Sequence, residues 1–230
     1  MSRIKAIINI IIYILVQLFV LVWISFHNNN QNEIISLNTM ALYMVPILVL
    51  IFIINFNYLK DKISYALKHY KIGLIYGFVG FMGYLVISFI FNIIILSING
   101  QEIDVSKNEE VLRYMIGNSS MISSFLLLVL IAPLVEELIF RVSLLGLLNK
   151  DQKNKRWYLY ILAAFIFALV HEYDFIINFN LLNCLLFLQY FIPSLLIILV
   201  YYLSNHNLLA TYFLHILNNA LALMISILLT

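Results

Sequence analysis

Long apolar runs alternate with short polar ones along the chain, and the length of the runs matches a bilayer. A helix crossing the hydrocarbon needs about 20 apolar residues. Seven runs approach that length: Ile4–Phe26, Met40–Phe56, Ile72–Ile98, Met121–Leu148, Trp157–His171, Leu181–Leu203 and Leu208–Leu229. The third carries Gly77, Gly80 and Gly83 and is expected to tilt or break there; the fourth is long and interrupted by charge; the fifth is short. Between them lie loops 27–39, 57–71, 99–117, 149–156, 172–180 and 204–207, with no internal repeat and no low-complexity linker. The pattern predicts an all-α, polytopic membrane helix bundle of about 7–8 transmembrane helices.

Composition agrees. Of 230 residues, 64% are hydrophobic and 10% charged, against roughly 45–50% and 25% in soluble domains. So few charges could not cover a water-facing surface of this size, so the lipid bilayer is the expected outer solvent. A net charge of +2 gives no case for a nucleic-acid partner, and none is expected. The single cysteine, Cys184, excludes an intrachain disulfide and sits in the apolar run 181–188 as a packing residue. Arg3 and Lys5 precede the apolar run Ile8–Ile24, which exceeds a signal-peptide core and is followed by no small-x-small cleavage pattern. It is read as a retained first span.

Charge in the short loops gives orientation. The N-terminus carries Arg3 and Lys5, loop 57–71 carries Lys60, Lys62, Lys68 and Lys71, and loop 149–156 carries Lys150, Lys153, Lys155 and Arg156. Of the alternate loops, 27–39 and 172–180 have no Lys or Arg, and 99–117 has Lys107 and Arg113 among Glu102, Asp104, Glu109 and Glu110. The bias predicts a multi-pass protein of the cell membrane with a cytoplasmic N-terminus and, with seven spans, an external C-terminus. A further span after Tyr173 would reverse the last helix.

Among the acids and bases, Glu136, Glu137 and Arg141 alone fall in mid-span. Insertion scales put Asp, Lys or Arg at a helix centre at about 2.5–3.5 kcal/mol each, so such groups mark function or pair with one another. Glu137 and Arg141, at i,i+4, share a helix face and can pair; Glu136 points about 100° away and needs another partner. Two histidines also sit in spans. Phe167 and His171 share one face by the same spacing, as do His215 and Asn219. Counted from the cytoplasmic helix ends at 1.5 Å per residue, Glu136, His171, His215 and Asn219 lie roughly 11–21 Å deep, which permits one shared layer.

That inventory suits amide hydrolysis. A glutamate and a histidine facing one water can deprotonate it, and a second histidine with an asparagine amide can stabilise an oxyanion. Ser143 has no activating base and reads as a packing residue. A rival chemistry is zinc held by Glu136, His171 and His215 with an open position; the H-E-x-x-H pattern fails because Phe175 stands where a second histidine is needed. A structural Glu–Arg pair, a non-catalytic immunity or scaffold protein and a small proton-coupled transporter are further alternatives.

The residues also resemble a known family. Ala132-Pro133-Leu134-Val135-Glu136-Glu137-Leu138-Ile139-Phe140-Arg141 is similar to the E-E-x-x-x-R motif of the CPBP family, the CAAX proteases and bacteriocin-processing (Abi) membrane proteins. Phe167-Ala168-Leu169-Val170-His171 resembles its F-x-x-x-H motif, and His215-Ile216-Leu217-Asn218-Asn219 its H-x-x-x-N/D motif. The resemblance covers about 119–229. It implies an N-terminal region of helices and loops, 1–118, and a catalytic helical core, 119–230. It further implies a glutamate-dependent intramembrane endopeptidase acting on a hydrophobic or membrane-protein substrate, in bacteriocin immunity or peptide-pheromone maturation. Glu136 would be the general base, His171 would help hold the water, His215 and Asn219 would stabilise the oxyanion, and Glu137, Arg141 and Phe167 would support them. No cofactor is expected, with zinc as the alternative. Val142 stands where many members have glycine, and seven spans are counted where many have eight.

Overall fold

The computed structural model describes residues 2–28, 37–99, 107–148, 157–172 and 174–229. Its elements are α1 (Arg3–Asn28), α2 (Leu37–Lys68), α3 (Tyr70–Asn99), α4 (Lys107–Gly117), α5 (Met121–Leu148), α6 (Trp157–His171), α7 (Asp174–Ile177), α8 (Leu181–Leu203) and α9 (Leu208–Leu229). Among the described residues there is no strand. The protein is a polytopic helical bundle, and among the described residues five helices are long and apolar enough to cross a membrane: the Met44–Lys68 part of α2, and α3, α5, α8 and α9. The apolar α6 has 15 residues. The first expected span coincides with α1, whose side chains beyond Gln17 lie outside the described residues. So do 29–36, 100–106 and 149–156, which hold Glu102, Asp104 and the basic residues Lys150, Lys153, Lys155 and Arg156.

Two expected loops are helical. The stretch 57–71 continues α2 to Lys68 past a non-helical residue, Asn55, with φ −115° and ψ 16°. Lysines end a span because they leave the hydrocarbon, but good helix formers such as Lys, Leu and Ala carry the helix onward. Loop 99–117 likewise contains α4, tied by an Arg113–Glu109 ion pair of 2.6 Å at i,i+4.

The expected break in α3 is absent, and its glycines serve close packing. A Cβ on Gly77 would lie 2.6 Å from the Ala210 carbonyl oxygen, and one on Gly80 2.6 Å from side-chain atoms of Leu214 and Val200. Backbones approach this closely in membranes only where side chains are small. The glycine face therefore seats α3 directly on α9, one residue from His215.

The bundle has a basic end. Lys5 Nζ donates to the Ile54 carbonyl, Asn205 Nδ2 to the Tyr65 hydroxyl and Asn207 Nδ2 to the His69 carbonyl. These contacts gather the start of α1, the lysine-bearing end of α2 and the turn between α8 and α9. That turn closes α8 with His206 N–H donating to the Tyr201 carbonyl, and Asn205 and His206 adopt φ of 57° and 61°, a left-handed helix stop.

At the centre stands α5. Over half of its most apolar stretch is buried (56%), against 11% for α3, so α5 packs on protein while most of α3 is exposed. Val135, Leu138, Ile139, Phe140 and Val142 are all at or below 3% exposed, in one core with Tyr13, Leu37, Met44 and Phe167.

Candidate active site

Glu136 sits between two π-helical stretches of α5, Phe125–Ile131 and Glu137–Leu144. Such widened turns are uncommon and recur at functional sites. Side chains bond the carbonyls of these stretches. Asn219 Nδ2 donates to Leu128 O at 2.9 Å, the Tyr212 hydroxyl to Leu130 O at 3.1 Å, and Ser143 Oγ to Leu138 O at 2.9 Å. Tyr212 and Asn219 flank His215 at i−3 and i+4 on one face of α9. The two pins fix His215 at the level of Glu136 and Glu137.

The carboxylates divide their partners as the helix geometry required. Glu137, fully buried, faces Arg141 with Oε2 3.3 Å from Nε. That contact is an ion pair by distance whose angle falls short of a hydrogen bond. Arg141 also lies 5.2 Å from the centre of the Phe167 ring, a cation–π contact. The other Glu137 oxygen is 3.2 Å from His215 Nδ1. A carboxylate oxygen accepts, so Nδ1–H donates, and Nε2 faces Glu136 as a lone pair in the neutral ring or as an N–H in the protonated one.

His171 is oriented by the same logic. Its Nδ1 is 2.9 Å from the Phe167 carbonyl, which can only accept, so Nε2 carries the lone pair. Phe167 stacks on the His171 ring at 4.3 Å, and Tyr190 stacks on that ring at 5.4 Å. Glu136 Oε2 lies 3.4 Å from His215 Nε2 and 3.8 Å from His171 Nε2. Three polar atoms thus converge, and Glu136 Oε2 is buried with no hydrogen-bond partner among the described residues.

The cluster opens into a cavity of about 330 Å³ lined by Glu136, His171, His215 and Asn219. The cavity runs along α9 from Leu214 to Ser226, and α4 contributes Glu109 and Arg113. From His215 to Ser226 is roughly 16 Å of helix. None of its lining residues comes from the basic end around Tyr65, His69 and Asn205.

The structure therefore brings Glu136, Glu137, Arg141, Phe167, His171 and His215 together, with Asn219 on the same wall but its amide engaged by Leu128. Tyr13, Gln17, Met44 and Tyr84 also line the cavity, although the first 118 residues held no motif. Ser143, read as a packing residue, accepts from Asn9 Nδ2 at 2.9 Å, and Asn55 Nδ2 donates to Asn9 Oδ1 at 3.0 Å. Mid-span asparagines on α1 and α2 were the available signal for this ladder, since buried amides need partners. Among the described residues no three His, Cys, Asp or Glu side chains are arranged to enclose a metal ion.

Residues 118–221 match the family model of the type II CAAX prenyl endopeptidases, Rce1-like. That match is consistent with the CPBP/CAAX protease family and supports a protease of the membrane. No curated protein and no solved structure matches the chain.

Proposed function

From an Rce1-like type II CAAX endopeptidase domain over residues 118–221, we propose that the chain is an intramembrane endopeptidase that uses Glu136 to activate water against one peptide bond of a hydrophobic or membrane-associated peptide. The observation that carries this reading is the approach of Glu136 Oε2 to the Nε2 atoms of two histidines, 3.4 and 3.8 Å away, at the wall of a cavity. Water is a natural ligand there, because it can donate to Glu136 and His171 and accept from a protonated His215.

Hydrolysis then follows from the residues present. Glu136 takes a proton from water as its oxygen attacks the scissile carbonyl carbon. His171, held by the Phe167 carbonyl, orients that water through Nε2. His215 acts in its imidazolium form: Glu137 stabilises the cation through Nδ1, and Nε2–H donates to the developing oxyanion. Arg141 pairs with the other oxygen of Glu137. The tetrahedral intermediate collapses when the proton on Glu136 passes to the leaving nitrogen, which breaks the C–N bond and leaves a carboxylate and an amine. Asn219 is a positioning residue that pins α9 through Leu128. Each of these steps uses only side chains of the chain and one water.

Lysine-rich ends favour the cytoplasm, so the end bearing Arg3, Lys5, Lys60 and Lys68 is assigned there, with the N-terminus. Maturation or inactivation of a short hydrophobic peptide, of bacteriocin or pheromone type, is the proposed setting. The test is cleavage of such peptides by purified protein in lipid, comparing wild type with Glu136→Ala and His171→Ala. Loss in both variants supports the reading. Equal cleavage by all three sinks it, and cellular protection by a stable Glu136→Ala protein would favour a binding role.

A further inference from the structure

α1 lies outside the family-matched segment, yet one of its faces is built into the site. Ala6, Asn9 and Tyr13 are 1%, 1% and 3% exposed, whereas Ile4, Ile7, Ile11 and Ile14 face outward. The spacing i, i+3, i+7 is one helix face. A polar pin holds it: Asn9 Nδ2 donates to Ser143 Oγ, two residues past Arg141, and Asn55 braces Asn9 from α2. One turn further along, the Tyr13 ring meets Phe140 edge to face at 5.7 Å, and Phe140 meets Phe167 at 4.9 Å. Tyr13 thereby lines the cavity that holds Glu136, His171 and His215. Gln17, one turn further along α1, is another lining residue, and Phe140, against which Tyr13 packs, is one turn past Glu136.

Several donors around this cavity are already engaged, whereas Ser194 Oγ is buried without a hydrogen-bond partner among the described residues. His171 Nδ1 is held by Phe167 O, His215 Nδ1 by Glu137, one N–H of Asn219 by Leu128 O, one of Asn218 by Asn219 Oδ1, and one of Gln189 by Asn92 Oδ1. A single imidazolium at His215 is a thin oxyanion site, since such sites use two or more fixed donors. A phenol is suited to the second place. It is a neutral donor that the bundle can bury beside a carboxylate, and its ring is fixed by packing on Phe140.

We infer that Tyr13 is a further catalytic residue, whose phenolic O–H donates to the carbonyl oxygen of the scissile bond as negative charge develops there. The inference rests on the peptidase reading of the Glu136 site. No proton leaves Tyr13: the phenol donates a hydrogen bond while Glu136 carries the water proton to the leaving amine.

The experiment is steady-state peptide cleavage in lipid by wild type, Glu136→Gln and Tyr13→Phe, with thermal unfolding of each. Tyr13→Phe keeps the ring against Phe140 and removes only the hydroxyl. The expected result is a kcat lower by about 10²-fold, the scale of one oxyanion donor, with KM and unfolding temperature unchanged. A kcat within about threefold of wild type, or a change confined to KM, overturns the inference while Glu136-dependent cleavage leaves the peptidase reading standing. Cleavage that survives Glu136→Gln overturns both. A second measurement does not depend on the stability of that variant: 3-fluorotyrosine at position 13 retains the ring and the O–H but acidifies it. A donor to the reacting oxygen keeps kcat near the wild-type value with 3-fluorotyrosine; a loss as deep as in Tyr13→Phe counts against the donor.

Discussion

Glu136 and His215 face one another through Oε2 and Nε2 at 3.4 Å, while the opposite nitrogen of the same imidazole is held by Glu137 at 3.2 Å. One ring therefore links a carboxylate turned toward the cavity to a carboxylate sealed in the core. The two glutamates, adjacent in sequence, have different environments: Glu136 is 14% exposed and Glu137 not at all.

Their substitutions should consequently separate activity from folding. Glu136→Gln is expected to lower kcat by at least about 10²-fold, the usual contribution of a general base, with an unchanged unfolding temperature. Glu137→Ala leaves Arg141 buried without its countercharge, which costs about 3–5 kcal/mol; unfolding temperature and activity should fall together. Cleavage assays and thermal unfolding in the same detergent check both, and equal destabilisation by the two variants would contradict the division.

Treatment with a strong chelator is expected to leave cleavage unchanged, because the proposed steps use only Glu136, His171, His215 and water. Activity lost to chelation and restored by zinc would instead require the His₂Glu assignment.

The α3–α9 seam predicts a graded series. Gly77→Ala should destabilise most, by about 1–3 kcal/mol, since its new methyl would meet the Ala210 carbonyl, which is backbone and cannot rotate away. Gly80→Ala meets the Leu214 and Val200 side chains and should cost less. Gly83→Ala, whose nearest neighbour is Leu196 at 3.4 Å, should be nearly neutral. Unfolding temperatures of the three variants give the order directly.

In the turn between α8 and α9, burial and then the nearby Lys62 hold the His206 imidazole below its ordinary 6.5. The unfolded chain then takes up the proton before the folded one. This contribution to stability is present above about pH 6.5 and is lost as the pH falls through the lower folded-state value. Tyr201 and Tyr202 pack beside the ring edge to face. His206→Asn, which tolerates the left-handed backbone, should flatten this part of the stability–pH curve relative to wild type.

The sequence announced what local chemistry controls. The runs 157–171, 181–203 and 208–229 coincide with α6, α8 and α9 because hydrophobic length decides them. The pairing of Glu137 with Arg141 was legible from i,i+4 spacing, and that of Glu136 with other residues from its angle around the helix. The Asn9–Ser143 bond was not, because its partners are 134 residues apart. Nor was Tyr13: in an apolar run a tyrosine looks like packing, and only the docking of α1 on α5 turns it toward the cavity. The extension of α2 to Lys68 was missed because charge was taken to end a helix, when it ends only the apolar part of one.

The cavity lies toward the end of the bundle away from its lysines. Leu214 and His215 open the stretch of α9 that lines it, His215 seven residues past Leu208, so the reacting groups stand at the end of the cavity nearest those lysines. On the peptidase reading, a chain in the cavity would be gripped along α9 on one side of the cut bond only, over roughly 16 Å, and the gripped fragment would be the slower of the two to leave.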